Sequence, residues 1–470
     1  MPSRFFTQSL GHRIATCALV GLAVGLIGGA ASAGDECAPE WIPDLGVPGA
    51  NSGLVAGLVI HDDGTGPALF VGGSFTAIGG VDAPRIAKRT GTTWSALGSG
   101  LSNAECYALG SFQGDLYAAG YFDLAGGVPG TAKLARWDGR QWNSLGAQLE
   151  LFSNQLWGLT TWDGGKGGKG DNLYIAGNFA NIGGSGASFF ARYDGKSFHP
   201  LGTTPIAGNV PLIVFSSHAH DDGSGEALYI GGRFTSVDGV PASRIARWNG
   251  TSWSAVGTSG VTSTGVSQSI MTMTTFDDGT GPALYVAGQS FISMDGVPAN
   301  RVAKWDGKNW SAVGDGFANG IVWKLAVFND GDGEKLYAFG TFTASSATAL
   351  SQTARWNGTS WEPFTIANNT AFNALVVPPG VLEGASETDS LVVSGQFTDL
   401  SGLGVNRIAA YAGCPVNTGA VGDLDGNGAV DAADLAILLG AWGSGDPDAD
   451  LDGDGDVSAA DLAMLLGNWS

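Results

Sequence analysis

The sequence has few charged residues, and basic residues are scarcest of all. Charged residues make up 14% of the 470-residue chain, about half of the usual share, so long solvent-facing helices are excluded as the main building element. The chain has 22 Lys and Arg against 43 Asp and Glu, a net charge of -21, which repels nucleic acid backbones and anionic membrane surfaces. We therefore expect no nucleic-acid partner.

What the chain has in quantity is glycine. It contains 77 Gly, 44% hydrophobic and 10% aromatic residues, a composition that predicts many tight turns around a substantial core. Eleven Asp lie between Pro415 and Ser470, and no Lys, Arg or Glu accompanies them. We therefore treat residues 414–470 as a separate unit.

The N-terminal segment has the pattern of a secretory signal. Arg4 and Arg13 precede an apolar stretch over residues 14–27, and small residues follow up to Ala33. This order predicts a signal peptide over residues 1–33 with cleavage after Ala33. The apolar stretch is too short to cross about 30 Å of hydrocarbon. We therefore expect a secreted protein, extracellular or associated with the cell surface, without a membrane span.

Residues 34–413 contain a repeated frame. A Phe closes the second strand-like run of every copy, at Phe75, Phe122, Phe179, Phe234, Phe291, Phe342 and Phe397. These positions are 47 to 57 residues apart, and each copy contains four short strand-like runs. A period near 50 with four strands is the signature of propeller blades. We predict an all-β, seven-bladed β-propeller over residues 34–413.

Each copy carries further repeated positions. Asn249-Gly250 is a strong hairpin signal, and the flanking Trp248 and Trp253 are predicted to pack between neighbouring blades. Asp-Asp-Gly loops, such as the one at Asp221, are predicted as turns, with weak Ca²⁺ binding as the alternative. For the repeated arginines we expect an ion pair within each blade, with a position at the mouth of the channel as the alternative; these arginines are Arg85, Arg244, Arg301 and Arg407.

The seventh copy ends near Tyr411 without a final Trp strand. The segment 40–46, which contains Trp41, has the pattern of that strand, so we expect it to close the ring and protect its edges. Closure would bring Cys37 close to Cys414, and we hypothesise a disulfide between them in an oxidising compartment. Cys106 would then remain a buried free thiol.

The repeats resemble kelch-type and related bacterial propeller repeats over residues 40–412. The Leu-Tyr-x-Gly-Gly pattern carries this resemblance, with Gly doublets at Gly72-Gly73 and Gly231-Gly232. Other copies have Ala-Gly instead, as at Ala119-Gly120, so the chain is kelch-like rather than kelch proper. The resemblance implies the fold and leaves the function open.

The C-terminal unit contains two twelve-position frames of the kind that bind calcium. Such a loop has side-chain oxygens at positions 1, 3, 5, 9 and 12, Gly at position 6 and a backbone carbonyl at position 7. Crowded carboxylates without basic neighbours repel each other, and oxygen ligands favour Ca²⁺ over Zn²⁺. We predict two Ca²⁺ sites. Their ligands are Asp423, Asp425, Asn427, Ala429 (carbonyl), Asp431 and Asp434, and, 27 residues on, Asp450, Asp452, Asp454, Asp456 (carbonyl), Ser458 and Asp461.

A helix is predicted after each loop, with the same apolar spacing in both. The stripes consist of Leu435, Leu438, Leu439 and Trp442, and of Leu462, Leu465, Leu466 and Trp469. Their i, i+3, i+4, i+7 spacing predicts that both helices bury their stripes in one small core.

Residues 414–470 resemble a type I dockerin of the variety with Gly-Cys ahead of the domain, here Gly413-Cys414. The resemblance implies a small all-α calcium-binding domain whose loop-helix units bind a cohesin-like protein or a cell-surface component. It implies partner-binding positions at Ala432, Ala433, Leu435, Ala459, Ala460 and Leu462. Alanine pairs stand where the family often has Ser-Thr, so the identity of the partner stays open.

Catalytic motifs are scarce. No Gly-x-Ser-x-Gly is present, only nine Glu occur, and His218 and His220 look like a surface pair at a strand end. We expect a secreted, non-catalytic binding or display protein, with a carbohydrate or a protein as the open choice of propeller ligand. The alternative is a component of extracellular polysaccharide degradation, either a glycoside hydrolase or a carbohydrate-binding subunit.

Overall fold

Seven four-stranded antiparallel sheets follow one another along the chain and form a seven-bladed β-propeller. The structure is a computed structural model. It describes residues 40–42, 45–146, 149–164, 171–208, 211–258, 260–261, 268–331, 333–345, 348–364, 369–382, 389–400, 402, 404–413, 422, 424, 430–446, 449–452 and 454–469.

The first strand of each blade lies innermost, and the strands continue outward. The bounds in chain order are β1 (Glu40–Ile42); blade 1, β2 (Val55–Asp62), β3 (Pro67–Gly73), β4 (Ala77–Ile78), β5 (Val81–Asp82), β6 (Ile86–Thr90) and β7 (Thr93–Ala96); blade 2, β8 (Cys106–Phe112), β9 (Asp115–Gly120), β10 (Leu134–Trp137) and β11 (Trp142–Asn143); blade 3, β12 (Leu149–Trp162), β13 (Asn172–Ile182), β14 (Phe190–Tyr193) and β15 (Phe198–His199). Short ribbons such as β4 and β5 lie in the connections between second and third strands.

The remaining blades follow the same order. Their bounds are, for blade 4, β16 (Ile213–Asp221), β17 (Glu226–Arg233), β18 (Ser236–Val237), β19 (Val240–Pro241), β20 (Ile245–Trp248) and β21 (Trp253–Ala255); blade 5, β22 (Ser269–Asp277), β23 (Pro282–Gln289), β24 (Ser293–Met294), β25 (Val297–Pro298), β26 (Val302–Trp305) and β27 (Trp310–Ala312); blade 6, β28 (Val322–Asn329), β29 (Glu334–Gly340), β30 (Thr353–Trp356) and β31 (Trp361–Pro363); blade 7, β32 (Ala371–Val377), β33 (Ser390–Gly395) and β34 (Ile408–Ala412).

Contacts between blades 1 and 7 close the ring. The innermost strands β2 and β32 contact each other, as do the innermost strands of successive blades. The N-terminal strand β1 pairs with β34, with Trp41 opposite Tyr411, and so supplies the fourth strand of blade 7. The Arg407 guanidinium donates to the carbonyls of Ala50 (2.9 Å) and Gly53 (2.8 Å). Cys37 and Cys414, the residues of the hypothesised disulfide, lie outside the described residues.

The repeated Phe positions form the core of the blades. All seven side chains are 0% exposed. In each blade the backbone N–H of one later residue donates to the carbonyl of this Phe, as Arg85 does to Phe75 (2.9 Å). The donor has a positive φ in every blade although it is never glycine, for example +66° at Arg85. This hydrogen bond holds the connection between the second and third strands against the end of the second strand.

The repeated arginines differ from expectation. Arg85, Arg301 and Arg407 donate to backbone carbonyls at the start of the next blade, for example Arg301 to Gly320 (3.1 Å). Arg244 does the same to Gln268 (2.8 Å). The expected ion pair within each blade is therefore wrong. A planar guanidinium with several N–H donors suits a row of carbonyls left unpaired where the chain crosses between blades.

The outer strands are joined across blades by tryptophan. The Trp253 indole donates to the Leu201 carbonyl of blade 3 (2.8 Å), and Trp361 donates to Val313 of blade 5 (3.1 Å). Within one blade the rings of Trp248 and Trp253 lie 5.2 Å apart. The packing between blades predicted for these side chains is what the structure has.

The C-terminal part contains two short helices, α1 (Ala432–Gly440) and α2 (Ala459–Gly467). They surround a core of their own, made of Val430, Leu438, Ala449, Val457 and Leu465. In the part of the chain that the structure describes, no helix is long and apolar enough to cross a membrane.

The predicted apolar stripes are buried only in part. Leu438 and Leu465 are fully buried, but Leu439, Trp442, Leu466 and Trp469 are exposed, so the prediction is wrong for these four. The two helices have nine residues each, and their shared core contains only Leu438 and Leu465 of the two stripes as buried residues. The rest of each stripe stays at the surface.

Candidate metal centre

The second predicted calcium loop brings three carboxylates together. Asp450, Asp452 and Asp454 each offer one oxygen, and these oxygens all lie within 4.8 Å of one another. Calcium binds oxygen at 2.3 to 2.6 Å, so two ligands of one ion lie at most about 5 Å apart. The three carboxylates are therefore close enough to share one Ca²⁺, and their chemistry is the oxygen-only set that this ion takes.

Backbone hydrogen bonds hold the loop around these carboxylates. The Asp454 N–H donates to Asp450 (3.2 Å) and to Asp452 (3.1 Å), and the Gly455 N–H donates to Asp450 (2.8 Å). Gly455 has a φ of +95°, which a residue with a Cβ adopts only under strain. This is the glycine at position 6, where the frame requires a sharp turn.

The residue at position 12 ties the helix to the loop. Asp461 is fully buried, and its carboxylate accepts from the N–H groups of Leu451 (2.8 Å), Asp452 (3.1 Å) and Ser458 (2.6 Å). The Ser458 hydroxyl in turn accepts from Ala460 (3.2 Å), which completes a capping box at the start of α2. Two of the three bonds to Asp461 end on Oδ1 and one ends on Oδ2, so Oδ2 keeps a lone pair for an ion.

The first loop repeats this arrangement where it is described. Asp434 is fully buried and accepts from the N–H groups of Leu424 (2.7 Å) and Asp431 (2.8 Å), as Asp461 does 27 residues later. Asp431 caps α1 by accepting from Ala433 (2.7 Å). The other predicted ligands of this loop, Asp423, Asp425, Asn427 and Ala429, lie outside the described residues.

Opposing electrostatic effects act on the second loop. A backbone hydrogen bond from Asp454 favours the ionised Asp452 carboxylate, but desolvation and the charges of Asp454, Asp461 and Asp450 outweigh it and raise the pKa of Asp452. At Asp461 the hydrogen bond from Ser458 is the largest effect and lowers the pKa of that carboxyl. The unit therefore keeps Asp461 ionised for structural reasons, while the other aspartates repel each other. A divalent cation among them would remove this repulsion.

The surface around the loops is apolar. Ala432, Ala433, Ala459 and Ala460 are exposed, and Leu435 and Leu462 are half-buried. Eight large hydrophobic side chains are exposed in the described residues, and five of them belong to this small unit: Ile437 (40%), Leu439 (52%), Trp442 (45%), Leu466 (51%) and Trp469 (44%). The last four were expected in the core, because spacing alone does not tell how far a short helix is covered.

The Asp-Asp-Gly loops of the propeller form hairpin turns. In the hairpin loops, Asp221 accepts from the N–H groups of Gly223 and Gly225 (2.9 and 3.0 Å), as a turn requires. The next residue, Asp222, faces Arg247 at 3.5 Å. These contacts favour the turn over a calcium site.

His218 and His220 do not form a surface pair. His220 is 4% exposed, and His218 is half-buried on the wall of the central channel. Both rings contact the Thr275 hydroxyl at 2.9 Å. Burial lowers the pKa of His218 to about 4, helped by His220 and Lys324. His218 is therefore neutral at pH 7, and the expected surface position is wrong for both.

Comparisons with known proteins add no family. No protein-family model matches the chain, and no curated protein matches it. Among solved structures, Sqt1 of Saccharomyces cerevisiae is 11% identical with a TM-score of 0.41, covering 77% of this chain and 96% of its own. The computationally designed protein Ika8 is 10% identical with a TM-score of 0.35, covering 77% and 97%. These likenesses are too distant to bear on function.

Proposed function

We propose that the chain is a secreted, non-catalytic β-propeller whose C-terminal unit, residues 414–470, binds two Ca²⁺ ions and docks a partner protein. The repeated arrangement of Asp434 and Asp461 supports this most directly. Each accepts N–H groups from the residue after position 1 and from position 9 of its own frame. A single acidic cluster is common on protein surfaces. Two loops built in the same way support the proposal that each loop binds the same kind of ion.

Each ion would have its own set of ligands. Asp450, Asp452 and Asp454 lie together already, and Asp461, Ser458 and the Asp456 carbonyl complete the second frame. The first frame would use Asp423, Asp425, Asn427, the Ala429 carbonyl, Asp431 and Asp434. The ion would neutralise the carboxylates, and its binding free energy would thereby stabilise the folded unit.

The docking surface would be the exposed apolar side of the two helices. Leu439 and Trp442 in the first loop-helix repeat correspond to Leu466 and Trp469 in the second, and all four side chains are 44 to 52% exposed. Exposed apolar residues concentrated in one small region mark protein interaction sites. The partner would be a cohesin-like protein or cell-surface component with a complementary apolar face, so that the propeller is displayed on it.

Calorimetry on the full chain tests the metal part of the proposal. Addition of Ca²⁺ at neutral pH is expected to show two sites. Asp452→Asn combined with Asp454→Asn removes two of the three gathered carboxylates and is expected to leave one site. Asp82→Asn combined with Asp315→Asn removes the same charge from exposed propeller positions and should keep both. Absence of Ca²⁺ uptake by the parent chain would refute the proposal.

Capture from culture supernatant tests the docking part. Immobilised full chain should retain a partner in Ca²⁺ and release it to a chelator. Trp442→Ser combined with Trp469→Ser should abolish retention, whereas Val47→Ser, which replaces an exposed apolar residue of the propeller region, should not. If the partner were retained equally with chelator and by the double tryptophan variant, the result would contradict a docking role of this unit.

A further inference from the structure

All seven innermost strands share a break in register at the same place. The interruptions fall between Val55 and Gly57, Cys106 and Ala108, Leu156 and Gly158, Val214 and Ser216, Ile270 and Thr272, Val322 and Lys324, and Ala371 and Asn373. Each leaves one extra residue without an opposite partner. Such β-bulges redirect a side chain and occur next to functional sites.

The extra residues are large and apolar in six of the seven blades. They are Tyr107, Trp157, Phe215, Met271, Trp323 and Phe372, with Ala56 in blade 1. These six side chains, here called the collar, line one cavity of about 260 Å³ on the propeller axis. The repeated bulge therefore places a ring of large apolar side chains in the central channel.

The collar presents flat ring faces. The rings of Tyr107 and Trp157 stack at 4.5 Å and 12°, and those of Trp323 and Phe372 at 5.0 Å and 29°. Trp157 and Trp323 belong to blades 3 and 6, and their rings lie 6.5 Å apart, within 8° of parallel. Tyr107 and Phe372 thus cover one face each of Trp157 and Trp323, and the two remaining faces, which oppose each other across the 6.5 Å gap, are the ones on which a ligand ring would pack.

One cation lines the same cavity. Lys324 follows the collar residue Trp323, and among the described residues no acceptor or carboxylate contacts its ammonium. None of the lining residues is Asp or Glu, although the chain as a whole carries a net charge of -21. Burial lowers the pKa of the Lys324 ammonium, as expected for a cation without a counter-ion.

Two further donors in the cavity wall have no partner. The Trp157 indole N–H and the Ser216 hydroxyl are buried and make no hydrogen bond within the described part of the chain. An ammonium and an indole N–H can only donate. The cavity thus combines apolar ring faces with polar groups that call for acceptor oxygens.

We propose that the central channel is a binding site for a small ring-bearing monocarboxylate, whose carboxylate pairs with Lys324 and whose ring packs on the collar. A single ammonium balances a single negative charge, and this favours a monoanion over phosphate. The site is separate from the docking role of the C-terminal unit. The proposed site gives the propeller a small-molecule ligand of its own, in addition to the partner protein of the C-terminal unit.

Calorimetry of the full chain in Ca²⁺ with four probes tests this site. Benzoate and glucuronate carry the carboxylate, and benzamide and glucose are their neutral counterparts. At least one carboxylate is expected to bind saturably with a Kd at or below about 1 mM, and its neutral counterpart about tenfold or more weakly. Benzoate alone would identify an aromatic ring, and glucuronate alone a sugar ring.

Variants at Lys324 separate the site from non-specific binding. Lys324→Met keeps the length of the side chain and is expected to remove the preference for the carboxylate, while thermal unfolding shows that the propeller remains folded. Lys324→Arg keeps the charge and should retain the preference. Lys304→Met is the matched control, because its ammonium pairs with Asp278 in a hairpin (2.6 Å). Equal affinity for charged and neutral probes, unchanged binding by Lys324→Met, or no saturable binding of any probe would overturn the proposal.

Discussion

The propeller and the C-terminal unit treat their aspartates differently. In the propeller hairpins the aspartate just before the first loop Gly lies against a Lys or Arg of the same blade, as in Asp63 with Lys88 (2.7 Å) and Asp330 with Arg355 (2.8 Å). In the C-terminal unit Asp450, Asp452 and Asp454 gather where no basic residue is available. The propeller thus carries its own counter-charges, whereas under the proposed function the C-terminal unit would take its counter-charge from an ion in solution. Stability of the two parts should therefore respond to different changes.

The largest expected effect is on the propeller core. Phe234→Ala empties a fully buried position in blade 4 and should lower the free energy of unfolding of the propeller by about 3 to 5 kcal/mol. Denaturant unfolding followed by tryptophan fluorescence measures it. Calcium affinity of the C-terminal unit should not change. A parallel loss of calcium affinity would break the separation between the two regions.

A smaller effect is expected from an internal counter-charge. Asp278→Asn removes the partner of Lys304 (2.6 Å) and weakens the bond from the Tyr285 hydroxyl (2.8 Å). The propeller should lose about 1 to 3 kcal/mol, because a half-buried ammonium keeps no neutralising group. Asp315→Asn, at an exposed position, is the control and should cost little. If added Ca²⁺ restored the stability of Asp278→Asn, the result would contradict the role of Asp278 as the counter-charge of Lys304.

Acid should affect the two parts at different pH. Burial raises the pKa of Asp330, but hydrogen bonds from Lys335, Tyr337 and Arg355 outweigh it and lower the pKa below its usual value. A lowered carboxyl pKa stabilises the folded state above about pH 4, and this stability is lost as the pH falls further. The pKa of Asp452 is raised instead, so protons should displace Ca²⁺ at a higher pH than that at which the propeller weakens. Circular dichroism across an acid titration would show the order, and the reverse order would contradict it.

The smallest expected effect is on helix capping. Ser458→Ala removes the hydroxyl that accepts from Ala460 (3.2 Å) at the start of α2 and should cost the C-terminal unit about 1 kcal/mol. The same hydroxyl is a proposed ligand of the second loop, so its loss should also weaken Ca²⁺ binding there. Ser311→Ala, at an exposed position of β27 in the propeller, is the control. A calcium titration followed at 222 nm should shift to higher Ca²⁺ for Ser458→Ala only.

The propeller fold could be predicted from local signals repeated along the sequence, whereas the contacts and exposure of individual side chains could not. The Phe positions and the Asn-Gly hairpin at Asn249 predicted blades, because turn chemistry and burial act within one copy of the repeat. The targets of Arg301 and the exposure of Trp442 depend on what the neighbouring segment covers, which spacing does not encode. The collar was missed for the same reason, because a β-bulge leaves no local pattern until strands are paired. Trp157 and Trp323 were therefore indistinguishable from core residues.

Hydrogen exchange on the full chain, with Ca²⁺ and with chelator, tests the dependence of the C-terminal unit on an ion most directly. We expect the amides of α1 and α2 to be protected in Ca²⁺ and to lose protection in chelator, while the propeller strand β17 stays protected under both conditions. Helix amides that remain equally protected without the ion would contradict the account.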